Sequence, residues 1–139
     1  MASRIEISLA AVLVAAAANM AVGAVWYAPR LLGKRWLAAM GWSQKELARR
    51  KQQGLSKAYG GTFLASLVLA YFLAHVVEFM GASTLLDGAH VGFWVWLGFV
   101  ATTSVGAYLF EGRPLALYLI NAGGYLAGLA VMGALLAVM

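Results

Sequence analysis

The sequence predicts an all-α integral membrane protein: four transmembrane helices in an antiparallel bundle, with a cytoplasmic amphipathic helical loop between helices 1 and 2. Three observations predict this fold class. Hydrophobic residues make up 63% of the 139 residues and charged residues 11%, whereas soluble domains average about 45–50% and about 25%. The apolar residues fall into four runs near the roughly 20 residues that cross a hydrocarbon core. The basic residues cluster between the first two runs.

The predicted spans are about Ile7–Ala28, Ala58–Met80, Val91–Phe110 and Leu115–Val138, which with the loop 29–57 form a single membrane domain. The first run extends to Trp26 and Tyr27, further than the hydrophobic region of a signal peptide. Arg4 and Glu6 leave the segment before it nearly neutral. We therefore expect the first run to be retained as a span.

Orientation follows from the lysines and arginines. Eight of the ten lie in the loop between spans one and two, and Arg113 lies between spans three and four, on the same side. The positive-inside rule therefore predicts a multi-pass protein of the bacterial cytoplasmic (inner) membrane, with this loop inside and both termini outside. The external loop would then run from Gly81 to His90, with Trp94 and Trp96 in the outer aromatic belt.

The first part of the basic loop has the pattern of a short interfacial helix. Leu32, Trp36 and Met40 recur at every fourth position, with Lys34 and Arg35 between them. This pattern is typical of a helix whose apolar face meets lipid tails and whose basic face meets headgroups. The residues predicted to contact lipid headgroups are Arg30, Lys34, Arg35 and Trp36.

The second part of the loop predicts another short helix. Gly41 would end the first helix, and Ser43 with Glu46 three residues later forms a capping box for the second. The second helix would stop at Gly54. The predicted cytoplasmic aromatic belt consists of Trp26, Tyr27, Trp36 and Trp42.

Each span carries one polar residue at a similar depth, roughly 10–14 Å from the cytoplasmic end at 1.5 Å per residue. In one interpretation these residues make interhelical hydrogen bonds worth about 0.6 kcal/mol each. In the other they form a constriction for an ion or small solute. The residues of this predicted polar layer are Asn19, Ser66, Thr102 and Asn121.

Small residues recur at fourfold spacing in every span, which allows helix backbones to approach closely in lipid. Span three carries Gly98, Thr102 and Gly106, and in span four Gly124 and Gly128 form a GxxxG pair. The stripes predict a compact bundle, or a bundle with an additional oligomer interface.

Ionisable residues gather near the predicted outer surface. His75 and Glu78 lie three apart on one helix face, and Asp87 and His90 reach the same side from the external loop. Interfacial hydrogen bonding, a proton or metal site, and a haem held by the two histidines are all compatible with this pattern. No cofactor is expected, and a metal is left undecided. On the inner side, Glu111 and Arg113 predict a local salt bridge or a contact to the basic loop, and the alternative is a gate or headgroup site on the cytoplasmic face.

Several function classes are excluded by the residue types. Cysteine is absent, which removes disulfides, thiolate nucleophiles and cysteine-based metal sites. No phosphate-loop, nucleophile-elbow or dinucleotide pattern occurs, so an enzyme is not expected. The net charge of +5 flanks apolar segments and lacks an accompanying aromatic groove, which argues against nucleic acid as a partner.

The chain resembles an uncharacterised family of small bacterial four-span membrane proteins, the domain of unknown function seventeen sixty-one. The resemblance rests on W-Y-A-P, G-K-R-W, M-G-W-S, G-F-W-V-W-L-G-F-V-A-T-T, L-F-E-G-R-P and L-I-N-A-G. It implies the four-span topology and no established activity. Where members of the family often read N-A-G-Y-H, this chain reads N-A-G-G-Y, with Tyr125 in place of the histidine.

Three functions remain open from the sequence. The first is a structural or accessory membrane component, homo-oligomeric or a subunit of a larger complex, with membrane lipid as a partner. The second is a small transporter or channel that uses the polar layer. The third is a metal- or haem-binding membrane protein.

Overall fold

The computed structural model describes residues 6–139, so Arg4 lies outside the described residues. All the regular elements within this range are helices. They are α1 (Leu9–Trp26), α2 (Lys34–Met40), α3 (Gln44–Gln52), α4 (Ser56–Phe79), α5 (Leu85–Leu109) and α6 (Leu115–Val138). A π-helical turn, Pro29–Gly33, with a kink at Leu31, connects α1 to α2.

Four of these helices, α1, α4, α5 and α6, are long and apolar enough to cross a membrane. This confirms the predicted all-helical fold class and its four helices of membrane-spanning length. Their outward faces are rich in exposed leucine, valine and phenylalanine, as expected where lipid rather than water covers the protein.

The prediction of an external loop from Gly81 to His90 is wrong, because α5 already begins at Leu85. Thr84 caps this helix, and its Oγ1 accepts a hydrogen bond from the backbone N–H of Asp87 at 3.0 Å. A threonine three residues before an aspartate is a helix-start pattern. Asp87 and His90 therefore lie in the first turns of α5.

Helix α6 occupies the centre of the structure and packs against α1, α4 and α5. Its residues Leu129 and Met132 are almost completely buried, together with Val77 of α4. The core continues into α1 through a row of alanines, of which Ala15 and Ala16 are fully buried. The last helix in chain order is therefore the one that the other spans share.

Glycines bring the backbones of α5 and α6 together. A Cβ atom added to Gly88 would collide with the carbonyl oxygen of Gly133, and one added to Gly92 would collide with the carbonyl oxygen of Leu129. These glycines, rather than the predicted Gly98 and Gly106, line the contact with α6. Gly98 faces open space.

Helix α5 contains a π-helical segment, Trp96–Ala101. Four successive carbonyl oxygens of this segment, at positions 98–101, each accept a hydrogen bond from a hydroxyl group. The donors are Thr102, Thr103, Ser104 and, from α6, Tyr118. Hydroxyl side chains thereby satisfy carbonyl groups that a π turn displaces from ideal α-helical geometry.

Candidate functional site

Two members of the predicted polar layer meet inside the bundle. The side-chain amide of Asn19 in α1 donates a hydrogen bond of 2.9 Å to Ser66 Oγ in α4. Ser66 is 3% exposed, and its hydroxyl also lies 3.9 Å from Met20 Sδ. The amide oxygen of Asn19 lies where a Cβ of Gly128 would be. The glycine of α6 thus makes room for the polar pair between α1 and α4.

The other two members of the layer have different partners. Asn121 Oδ1 accepts a hydrogen bond of 2.8 Å from the hydroxyl of Tyr27. Thr102 is exposed and donates to the carbonyl of Gly98 in its own helix at 2.9 Å. The structure therefore divides the four residues into one interhelical pair, one tyrosine contact and one intrahelical bond.

The last residue of α1, Trp26, packs against a pair of glycines in α6. The indole ring of Trp26 lies 2.8 Å from the position of a Cβ on Gly123 and 3.0 Å from that of a Cβ on Gly124. Trp26 Nε1 donates to the carbonyl of Ile120 at 2.9 Å. Gly124 therefore accommodates aromatic side chains of the same chain, as Gly128 accommodates Asn19.

A second tryptophan, Trp96, forms a hydrogen bond to the backbone of α6 from α5. Trp96 Nε1 in α5 donates to the carbonyl of Ala122 at 2.7 Å. Trp96 is half-buried, whereas Trp94 is 67% exposed. Of the two residues predicted for the outer belt, Trp94 is the one on the surface.

The loop end of the bundle, which we define as residues 27–55 with the turn 110–114, is held by aromatic contacts. Ring centroids of Tyr27 and Trp36 are 5.9 Å apart and those of Trp36 and Trp42 are 5.3 Å apart, both edge to face. The guanidinium carbon of Arg50 lies 4.1 Å from the centroid of the Trp42 ring. These distances are typical of favourable aromatic and cation–π pairs. Three residues of the predicted aromatic belt, Tyr27, Trp36 and Trp42, thus form a continuous stack that Arg50 extends to α3, whereas Trp26 packs on α6.

Helix α2 packs against α6 instead of presenting a free apolar face to lipid. Trp36 and Met40 are half-buried, and Met40 Sδ lies 3.9 Å from an Nη of Arg113. The predicted end of this helix is confirmed, because Gly41 has φ +74°. That left-handed conformation costs glycine little.

One half of the predicted capping box of α3 is present, the bond to Ser43, whereas the Glu46 carboxylate bonds to two arginines instead of the Ser43 N–H. Ser43 Oγ accepts from the backbone N–H of Glu46 at 3.1 Å, and Glu46 Oε1 accepts from Arg49 and Arg50 at 3.0 and 3.1 Å. The hydrogen bond from Arg49 is the largest cause that lowers the pKa of Glu46, and Arg50 adds to it. Helix α3 ends at Gln52, before Gly54 with φ +89°.

The residues predicted to bind headgroups differ in their surroundings. Arg30, Lys34 and Arg35 are exposed, and each is farther than salt-bridge distance from every carboxylate in residues 6–139. Trp36 is instead part of the aromatic stack. At the other edge of this end, Arg113 pairs with Glu111 at 3.3 Å, so the predicted local salt bridge is present.

The predicted outer cluster does not assemble. His75 Nδ1 lies 2.9 Å from the carbonyl oxygen of Tyr71, and its ring packs on Tyr71 at 4.7 Å. Glu78, Asp87 and His90 are exposed. In the part of the chain that the structure describes, no three histidine, aspartate or glutamate side chains are placed to hold a metal ion.

The buried polar side chains therefore find their hydrogen-bond partners within the part of the chain that the structure describes. Every buried side-chain nitrogen or oxygen in the described range has a hydrogen-bond partner. The four apolar helices fit a multi-pass membrane protein.

The family model described as "Protein of unknown function (DUF1761)" matches residues 10–137, and the chain belongs to that family. The match includes all four spans and the loop end, as the resemblance in the sequence implied. Neither a curated protein nor a solved structure matches the chain.

Proposed function

We propose that the protein is a structural or accessory component of the bacterial cytoplasmic membrane, with the basic loop inside and both termini outside. The observation that carries the proposal is the Asn19–Ser66 hydrogen bond, for which Gly128 leaves the necessary space. This hydrogen bond joins α1 to α4, which supports a role in helix packing for the polar residues inside the bundle.

A transport pathway would need polar groups that exchange partners with a moving solute. Asn19, Ser66 and Asn121 already bond to partners within the chain, and Thr102 bonds to its own helix. None of the four carries a charge that could drive a transport cycle. Their arrangement supports helix packing over conduction.

The same function includes association with a second copy of the chain. On the open face of α4, a groove is lined by Gly61, Leu64, Ala65, Val68, Leu69 and Phe72. Nothing lies within 4 Å of a Cβ at Gly61, and Gly61 and Ala65 repeat the small-residue spacing by which membrane helices pair. The occupant that we propose for this groove is the α4 helix of a second copy.

Crosslinking in membranes tests the association, since the chain has no native cysteine. Leu64→Cys on the groove should give disulfide-linked dimers on mild oxidation. The matched control is Leu119→Cys on the exposed face of α6, which should give few. Equal yields from both variants, or dimers from neither, would argue against the second copy.

Ion flux tests the choice between packing and conduction. Vesicles containing the purified protein and a pH-sensitive dye should conduct protons no faster than protein-free vesicles. Ser66→Ala should lower stability without creating or removing flux. A proton or potassium flux that Ser66→Ala abolishes and Thr102→Val leaves intact would instead support a channel.

A further inference from the structure

Three cations lie close together in the sequence just beyond the end of α1. Arg30 lies in the π-helical turn Pro29–Gly33, and Lys34 and Arg35 begin α2. All three are exposed. They follow the last residue of α1, Trp26, by four to nine positions, and basic residues that closely follow a span are typical of those that meet lipid headgroups.

The carboxylates of the loop end do not neutralise this group. Glu46 is held by Arg49 and Arg50, and Glu111 by Arg113. These are the two acidic residues of the sequence between Pro29 and Pro114 that belong to the loop end. An external anion is therefore the charge partner that the three cations lack.

The packing of α2 determines how the group can meet a membrane. Its apolar face is already occupied by α6 and by the aromatic stack of Tyr27, Trp36 and Trp42. The helix cannot insert that face into the acyl chains without leaving these contacts. The exposed groups that this segment offers to lipid are then its three charged side chains and, beside Arg30, the side chain of Leu31.

We propose that Arg30, Lys34 and Arg35 form a binding surface for the phosphate of an anionic phospholipid headgroup, on a helix that the aromatic stack holds against the bundle. Guanidinium groups bind phosphate oxygens in a bidentate manner, and lysine adds a point charge. Trp36 acts as a positioning residue for this surface. The inference rests on the proposed placement in a membrane.

Lipid binding to the purified full chain tests the surface. The protein in neutral detergent is mixed with phosphatidylglycerol or with phosphatidylcholine of the same acyl chains, and bound lipids are counted by native mass spectrometry. Each basic residue near a membrane surface contributes roughly a fivefold gain in affinity for anionic lipid. The triple variant Arg30→Gln/Lys34→Gln/Arg35→Gln should therefore lose at least about tenfold of the preference for phosphatidylglycerol.

A matched control removes the same charge elsewhere in the loop. Lys45→Gln/Lys51→Gln/Lys57→Gln should keep most of the preference, and both triple variants should keep the wild-type helix content by circular dichroism. An equal loss in both variants would overturn the site in favour of overall charge. A preference that survives the first triple variant would overturn it as well.

Two further measurements are needed. The first distinguishes a lipid phosphate from a soluble one, and the second distinguishes failure of the binding surface from failure of the membrane placement. Glycerol 3-phosphate at millimolar concentration should not displace the bound lipid, and displacement would indicate a site for a soluble anion instead. Cell fractionation tests membrane placement independently. Protein in the membrane fraction with no preference among lipids would refute the surface alone, whereas protein in the soluble fraction would refute the placement.

Discussion

At the scale of single residues, the bundle depends on polar side chains that find partners where water is absent. The Asn19 amide and the Ser66 hydroxyl come from different spans and meet at 2.9 Å. In a low-dielectric interior, an unpaired amide or hydroxyl costs more than the bond itself returns. This pair therefore fixes the relative position of α1 and α4 as well as adding stability.

Removing the pair should lower stability by a small and measurable amount. We expect Ser66→Ala to reduce the free energy of unfolding by about 0.6 kcal/mol, with an upper bound of about 1.7 kcal/mol. Asn19→Ala should have a similar or larger effect, and the double variant should lose less than the sum. Reversible unfolding in mixed detergent micelles measures all three.

Thr102→Val is the control for that cycle, because Thr102 is exposed and bonds only to its own helix. Its effect should stay within about 0.5 kcal/mol. Losses at Asn19 and Ser66 that add without coupling would show that the two side chains do not interact.

The carboxyl of Glu46 should make α3 sensitive to acid. Its pKa in the folded protein is lowered from 4.5, so its ionised form is the one that the helix stabilises. The contribution to stability is therefore present above pH 4.5 and is lost as the pH falls through the lower folded-state value. Amide hydrogen exchange in residues 44–52 should accelerate over that interval.

Glu46→Gln provides the comparison for the acid effect, since it keeps the shape of the side chain and removes its charge. Exchange in α3 of this variant should be faster at neutral pH and show little change on acidification. If Glu46→Gln kept the wild-type pH dependence of exchange, a group other than Glu46 would be responsible for the acid effect.

At the scale of elements, close backbone contact between α5 and α6 depends on Gly88, Gly92 and Gly133. Side chains larger than hydrogen would separate the helices at these points. Because dispersion falls off steeply with distance, the cost extends to neighbouring contacts. A single methyl group is therefore enough to test the interface.

Gly88→Ala should reduce the free energy of unfolding by about 1–3 kcal/mol, as expected for an overpacked contact. Gly98→Ala is the matched change in the same helix, at a site with nothing within 4 Å. It should be neutral or stabilising by up to about 1 kcal/mol, because alanine favours a helix more than glycine does. Thermal unfolding of the two variants side by side gives the comparison.

Local signals in the sequence predict local elements well. The stop at Gly41 and the cap at Ser43 depend on neighbouring residues, and both are present. The start of α5 carried a signal of the same kind in Thr84 and Asp87, which could have located it. The four spans are predictable because a run of about 20 apolar residues is best explained by a helix that crosses a membrane.

Interhelical partners are harder to predict. Spacing along a span gives the depth of a side chain, but the direction it points around the helix axis depends on packing. Thr102 and Ser66 have similar predicted depths, yet only Ser66 faces another span. The fit of Trp26 against Gly123 and Gly124 joins residues far apart in sequence, and no local pattern contains that information.

At the scale of the whole molecule, the distribution of charge predicts how the protein lies in its membrane. Ser83 lies between α4 and α5, and Lys51 lies in α3. The positive-inside rule assigns these positions to opposite sides. The cysteine-free sequence allows each position to be labelled alone.

In intact cells whose outer membrane has been permeabilised, a membrane-impermeant maleimide should label Ser83→Cys and leave Lys51→Cys unlabelled. Lysis with detergent should make both reactive. Labelling of Lys51→Cys before lysis would reverse the proposed orientation, since the loop would then face outward.

The central position of α6 has a consequence for biosynthesis. A ribosome delivers the chain from its N-terminus at about 5–20 residues per second, so α1, α4 and α5 enter the bilayer before the helix they share has been made. During that interval Asn19 and Trp26 lack the glycines of α6 against which they pack. The indole N–H groups of Trp26 and Trp96 lack the carbonyl oxygens of α6 that accept their hydrogen bonds. The contacts that Trp26 and Trp96 make with α6 therefore form only after α6 has inserted.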